Sequence, residues 1–371
     1  MIRRTVGNYP IPCEANMILD APTELRKMDP SGMLRLVCEM PQHIEKAIIV
    51  SSSLPVGVPG SGFKHVVVAG MGGSAIAGDV LRTLMEERAS IPCTVVREYT
   101  PPLFIGQQTL LFCSSYSGNT EESLSLYEDA KKRGARVICL GSGGELQRRA
   151  LVDGVPFLKM EEGLPPRAAI GYSFFMMYDV LRRMSLLPEE QGEAGETISF
   201  LRSKAQLYDE ETPTSHNPAK KLAEELFNKL VIVYGSRHTH CVSLRWKCQL
   251  NENSKTLAYA NNFPELNHNE IVGWRGLKTL GTPIEVIVLR DLLEHQRVSK
   301  RIAITLELMK SDGVHTKEVW SEGRSLLTRI FSLIYLGDFV SIYLAMLYGE
   351  DPTPVRRIDE LKKRLSEETN V

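Results

Sequence analysis

The stretch HVVVAGMGGSAIAGD, His65 to Asp79, runs a short β-branched apolar segment into a glycine-rich turn and then into small residues that suit a helix. A strand that is continuously apolar, rather than alternating, is one whose two faces are both covered. The pattern then continues through CTVVRE (Cys93 to Glu98), TLLFCSS (Thr109 to Ser115) and RVICLG (Arg136 to Gly141), with the helical EESLSLYEDAKKRG between the last two. Strands of this kind alternating with helices define a parallel sheet with helices on both sides, a doubly wound α/β domain. Beyond the charge-rich PEEQGEAGETISFLRSKAQLYDEETP the opening recurs as NKLVIVYGSRHTHC: an apolar strand, a glycine, a serine, then a helix. PIEVIVLR, a helix through SKRIAITLELMK, the short strand TKEVW and a long C-terminal helix follow. The expectation is α/β, with two tandem doubly wound parallel-sheet subdomains flanked by helical N- and C-terminal segments. The expected division is a helical lead-in over 1–55, with a helix near Met33 to Ile49, a first domain over 56–190, a helical connection over 191–214 and a second domain over 215–371.

Of 371 residues, 43% are hydrophobic and 24% charged, enough apolar content for two cores. A formal net charge of -1, with no dense basic run, argues against nucleic acid or an anionic membrane as a partner. The seven cysteines are dispersed without a CxxC pair, which suits reduced thiols rather than a disulfide frame. The basic start MIRRTVGNYPIPCEAN lacks an apolar stretch, so no signal peptide is expected there. LLTRIFSLIYLGDFVSIYLAML, Leu326 to Leu347, is long enough to span a bilayer, but Arg329 and Asp338 interrupt it and a buried core helix is expected. A cytoplasmic protein is the corresponding expectation.

Ligands of doubly wound sheets bind beyond the carboxyl ends of the strands. GMGGSAIAGD fits a dinucleotide fingerprint through Gly70, Gly72 and Ala75, with Glu98 loosely placed for a ribose; the same glycines would equally suit close packing of helix on strand. No nucleoside triphosphate P-loop occurs. The next loop, CSSYSGNTEES (Cys113 to Ser123), is richer in hydroxyls than a turn requires. Ser114, Ser115, Ser117 and Thr120 lie where a strand ends and a helix begins, and a helix N-terminus offers unpaired N–H groups and a positive dipole end. The alternative is capping by Ser117 or Thr120, which would use one hydroxyl, with Glu121 and Glu122 complementing the dipole. A phosphate there requires both glutamates to point away.

GMGGSAIAGD together with SYSGNTEES resembles the sugar isomerase (SIS) domain family, of flavodoxin-type subdomains that bind phosphosugars. NENSKT and PELNHNEIVGW resemble one branch of it, the bifunctional phosphoglucose/phosphomannose isomerases. The resemblance covers both units and implies interconversion of glucose 6-phosphate and mannose 6-phosphate with fructose 6-phosphate through a cis-enediol, without a cofactor, in a homodimer with a shared active site. It implies phosphate binding by Gly73, Ser74, Ser115, Ser117 and Thr120. Arg167, in LPPRAAIGYS, is implied to face the enediol charge, and Glu252, in NENS, to be the catalytic base. Glu252 follows a helix, whose negative C-terminal end makes a carboxylate a better base, with Asn251 and Asn253 placed to orient it. His268, in ELNHNE, is implied to open the sugar ring from a neighbouring subunit. From DPTPVRRIDELKKRL come Thr353, beside the sugar and small enough to leave room at C2, and a lysine, Lys362 with Lys363 adjoining it.

His238 and His240 have the look of a metal pair, but no third ligand or carboxylate cluster accompanies them in sequence. Two other readings share the phosphosugar expectation. A non-catalytic regulator would keep the serines without needing Glu252 and His268, and would carry a DNA-binding module. The isomerase unit of amino-sugar phosphate metabolism would follow a glutamine-hydrolysing domain.

Overall fold

The computed structural model describes residues 18–55, 62–279, 281 and 283–368, and Met1 to Asn16, with Cys13, lie outside the described residues. The chain opens with α1 (Pro22–Met28), α2 (Met33–Cys38) and α3 (Met40–Ser52). The single helix expected near Met33 to Ile49 is therefore two. Pro41, in the first turn of α3, has no N–H to continue the preceding ladder, and hydrogen bonding restarts where His43 donates to the Glu39 carbonyl.

The first sheet is built from β1 (His65–Ala69), α4 (Gly72–Arg88), β2 (Cys93–Val96), β3 (Thr109–Ser114), α5 (Glu121–Lys132), β4 (Arg136–Gly141), α6 (Gly144–Asp153) and β5 (Phe157–Lys159). All pairings are parallel and the order is β2-β1-β3-β4-β5. Both faces are covered: Val66, Val68, Leu110 and Phe112 join the large core, while Val67, Ala69, Leu111 and Cys113 join a second one under α5 and α6. That two-sided burial is why these strands read as continuous apolar runs. The three-residue β5 is too short to leave such a signal.

α7 (Ile170–Arg183), α8 (Glu193–Tyr208) and α9 (Pro218–Leu226) lead to the second sheet. It contains β6 (Leu230–Gly235), α10 (His240–Glu252), β7 (Ala258–Asn262), β8 (Ile284–Arg290), α11 (Gln296–Ser311) and β9 (His315–Trp320), in the parallel order β7-β6-β8-β9. The sequence carries no strand signal for β7, because AYANN is an edge strand with polar residues and little apolar surface to bury.

The long α12 (Leu326–Leu347) is apolar and long enough to cross a membrane, yet 94% of its most apolar window is buried within the protein. It packs against α8, α9 and α10. Its two charges are matched inside: Arg329 Nε donates to Asp291 at 2.8 Å, and Asp338 accepts from Arg245 Nη2 at 2.7 Å. α13 (Arg356–Glu368) ends the described chain. The described cysteines are free thiols.

Candidate active site

In the first sheet the strand order reverses between β1 and β3, and their following loops diverge to leave a crevice. At the strand ends, before they part, the two loops are in contact at Gly70. A Cβ placed there would lie 2.8 Å from the Ser114 carbonyl and 3.1 Å from the Ser74 Cβ, so glycine is what allows the approach. Ser74 is buried in the first turn of α4, whose N-cap Met71 supplies no side-chain acceptor. Across the crevice, Ser115 and Thr120 hydroxyls share a hydrogen bond of 2.8 Å.

Capping does not account for these hydroxyls. Thr120 is the N-cap residue of α5 and makes no side-chain cap bond. Ser117 is exposed and its Oγ accepts from the Asn119 N–H at 3.2 Å. The loop is held instead from behind, where Ser142 donates twice to the Tyr116 carbonyl and Asn119 Oδ1 accepts from the Glu145 N–H at 2.9 Å. The Glu121 carboxylate is engaged by the Tyr99 hydroxyl at 3.3 Å. Of the two fingerprint glycines, Gly70 serves the close approach, Gly72 has a φ of +48° with open space around it, and Glu98 is exposed.

Gly73 joins this crevice to the next part of the site. A Cβ at Gly73 would meet the Pro166 carbonyl at 2.9 Å and the Arg167 Cα at 3.3 Å, so α4 lies directly on the short 3-10 turn Pro166–Ala168. Arg167 is 4% exposed and tethered through Nε and Nη2. Its Nε donates to Asn253 Oδ1 at 2.5 Å, and Nη2 donates to the carbonyls of Pro352 and Thr353, both at 2.7 Å. Nη1 faces Glu252, 3.6 Å from Oε2. Burial lowers the proton affinity of Arg167 and Glu252 opposes it, and a guanidinium remains charged under either influence.

Glu252 is the last residue of α10, with its side chain 28% exposed. The flanking asparagines do not hold it as expected. Asn253 bridges Arg167 and the Ser341 hydroxyl, while Asn251 accepts from the Ala258 N–H at the start of β7. Thr353 lies beside Arg167 with its Oγ1 buried and without a hydrogen-bond partner among the described residues. The structure therefore brings together Gly73, Ser74, Ser115, Thr120, Arg167, Glu252 and Thr353, with Ser117 at the rim.

Two expected residues, His268 and Lys362, are exposed. His268 is exposed in the 3-10 turn Glu265–His268, beyond the carboxyl end of β7, whereas Glu252 precedes the amino end of that strand. Lys362 is exposed on α13 and makes no ion pair or side-chain hydrogen bond among the described residues. A different lysine is close by: Lys255 Nζ donates to the carbonyls of Glu252, at 2.6 Å, and Pro352, at 3.1 Å. The sequence also concealed a buried support. Arg245 pairs with Asp338 and donates to the Arg167 carbonyl at 3.0 Å, and Gln249 donates to Asp338 at 2.8 Å. Arg245 and Asp338 are 93 residues apart and nothing in their local patterns couples them.

The matching crevice of the second sheet, between β6 and β8, is filled by the chain itself. Asp291 is 1% exposed and accepts from His238 Nδ1, the Leu293 N–H, Ser321 Oγ and Arg329 Nε at 2.8–3.2 Å. His238 Nε2 meets Glu87 of α4 at 2.9 Å, so both its ring nitrogens are engaged by carboxylates. His240 is instead half-buried at the start of α10, its Nδ1 without a partner among the described residues.

A parallel 2-1-3-4-5 sheet with a hydroxyl-lined crevice at its switch point, followed by a second parallel sheet, is the architecture of a double SIS-domain protein. The SIS domain model matches residues 62–153, and the model described as bacterial phospho-glucose isomerase C-terminal SIS domain matches residues 215–365. The chain belongs to the family of bifunctional phosphoglucose/phosphomannose isomerases. It is 43% identical to a protein of that name from Caldicellulosiruptor bescii, over 90% of this chain and 99% of that one. The counterpart from Aquifex aeolicus is 36% identical, over 82% and 91%. In fold it is similar to the crystal structure of a glucose-6-phosphate isomerase like protein from Thermus thermophilus, with a TM-score of 0.62, 20% identity and coverage of 93% and 98%.

Proposed function

We propose that this chain interconverts glucose 6-phosphate and mannose 6-phosphate with fructose 6-phosphate through a cis-enediol. The observation that carries the reading is the Arg167 guanidinium, fixed by Asn253 and two carbonyls, with Nη1 3.6 Å from the Glu252 carboxylate and its backbone against the crevice at Gly73. In this reading Gly73, Ser74, Ser115, Ser117 and Thr120 bind the phosphate, which holds the reacting carbons in place from a distance. Glu252 takes the C2 proton and returns it at C1. Arg167 meets the charge that develops on the enediol oxygens, and needs no rearrangement to do so because it is already tethered. Glucose and mannose 6-phosphates differ only at C2, so one planar enediol serves both. The unpartnered Thr353 hydroxyl is the group placed to adjoin that part of the sugar. Each proton passes between substrate and side chain, so the chemistry calls on no cofactor.

Ring opening by His268 requires a second copy of the chain. Its exposure, and its position at the far end of β7 from Glu252, support a homodimer in which each site takes His268 from its neighbour. The test is an assay of fructose 6-phosphate conversion to both aldose phosphates, with EDTA present, for the wild type and Glu252→Gln. The expected result is both products from the wild type and a loss of about 100-fold or more in the variant. Full activity in Glu252→Gln removes the proposed base; a wild type producing neither aldose phosphate removes the function.

A further inference from the structure

Three residues beyond Glu252, Lys255 has a φ of +56°, in the left-handed region. Just past a helix end that conformation usually belongs to glycine, because a Cβ is penalised there. A long side chain in this position points to a use for its amine. Lys255 Nζ donates to the Glu252 carbonyl at 2.6 Å and to the Pro352 carbonyl at 3.1 Å. The Pro352 carbonyl also accepts from Arg167 Nη2 at 2.7 Å. Two cations thus converge on one carbonyl oxygen, and one of them also grips the main chain of Glu252. The charged groups that face this ammonium are Arg167 before α7, Glu252 at the end of α10, and Glu350 and Asp351 after α12.

We propose that Lys255 is a positioning residue of the site, bridging Glu252 to the Pro352 loop and so setting the separation between the Glu252 carboxylate and the Arg167 guanidinium. This rests on the isomerase reading above. It also places an ammonium beside Glu252 and the Pro352 loop. Burial of the ammonium and then repulsion from Arg167 push its proton affinity down to about 8, with Asp351, Glu350 and Glu252 opposing. The bridge is therefore intact below that value and weakens as pH rises through it.

The test combines kinetics on fructose 6-phosphate across pH with thermal unfolding, for the wild type, Lys255→Gly, Lys255→Met and Lys255→Arg. Glycine removes the amine and relieves the left-handed backbone, so its Tm equals or exceeds that of the wild type while kcat falls about ten- to a hundredfold. Methionine loses kcat similarly. Arginine recovers most of it and moves the alkaline limb of the kcat profile upward, because a guanidinium keeps its charge. Wild-type kcat in Lys255→Gly and Lys255→Met overturns the inference, as does an arginine variant that is no better than methionine with an unmoved alkaline limb. A wild type inactive on both aldose phosphates overturns the functional reading instead, and the two failures are told apart in the same experiment.

Discussion

Glu252 and His268 stand at opposite ends of the second sheet. Glu252 closes α10, which runs back against the strands, and β7 then carries the chain forward until Asn262 pairs with Gly235 at the carboxyl end of β6. At about 3.3 Å per residue, the five-residue β7 alone separates the two by roughly 13 Å. On the proposed reading, His268 therefore acts at the site of a second copy. Mixing the inactive variants Glu252→Gln and His268→Ala under conditions of subunit exchange is expected to restore about a quarter of wild-type activity in an equal mixture, since half the twofold dimers are hybrids with one intact site. A mixture as inactive as its components removes the shared site.

Ser115 and Thr120 act as a pair through their 2.8 Å hydrogen bond. Replacing either by alanine is expected to lower kcat/KM for fructose 6-phosphate about tenfold, equivalent to about 1.4 kcal/mol, with little change in Tm because neither hydroxyl caps α5. The double variant is expected to lose less than the sum of the two, measured as a double-mutant cycle on kcat/KM.

The Arg245–Asp338 pair is buried on both sides and braces the Arg167 backbone. Asp338→Ala leaves Arg245 charged, dry and without its partner, a loss expected at about 3–5 kcal/mol in denaturant unfolding. At temperatures where the variant remains folded, kcat is expected to fall further than KM rises, because the altered group holds Arg167 rather than the phosphate.

His238 is held between Asp291 and Glu87, and the Asp291 hydrogen bond raises its proton affinity against the effect of burial. A raised native value means that the protonated histidine favours the fold. Its contribution is complete below the unfolded value of about 6.5 and is lost as pH rises through the higher native one. Thermal unfolding measured across this range should show a decline in stability that His238→Gln flattens. An identical slope in the variant would assign the decline elsewhere.

Much of this protein is local and therefore legible in one dimension. Buried parallel strands must be apolar on both faces, so β1, β3, β4, β6 and β8 announce themselves, and the glycine and serine turns after β1 and β3 mark the crevice. Arg329 and Asp338 likewise identified a helix whose charges must find partners inside a core. What the sequence alone did not determine depends on residues that meet only after folding. The edge strand β7 buries too little to show a pattern, and the break at Glu39 turns on where Pro41 falls in the first turn of a helix. Asn253 binds Arg167 rather than Glu252, Lys255 grips the Glu252 carbonyl, and Arg245 reaches Asp338 across 93 residues. Hydrogen bonds and ion pairs between distant segments leave no periodicity in either segment. The residue types could be read from the chain, but their partners were decided by the packing of α4, α10 and α12 around Arg167.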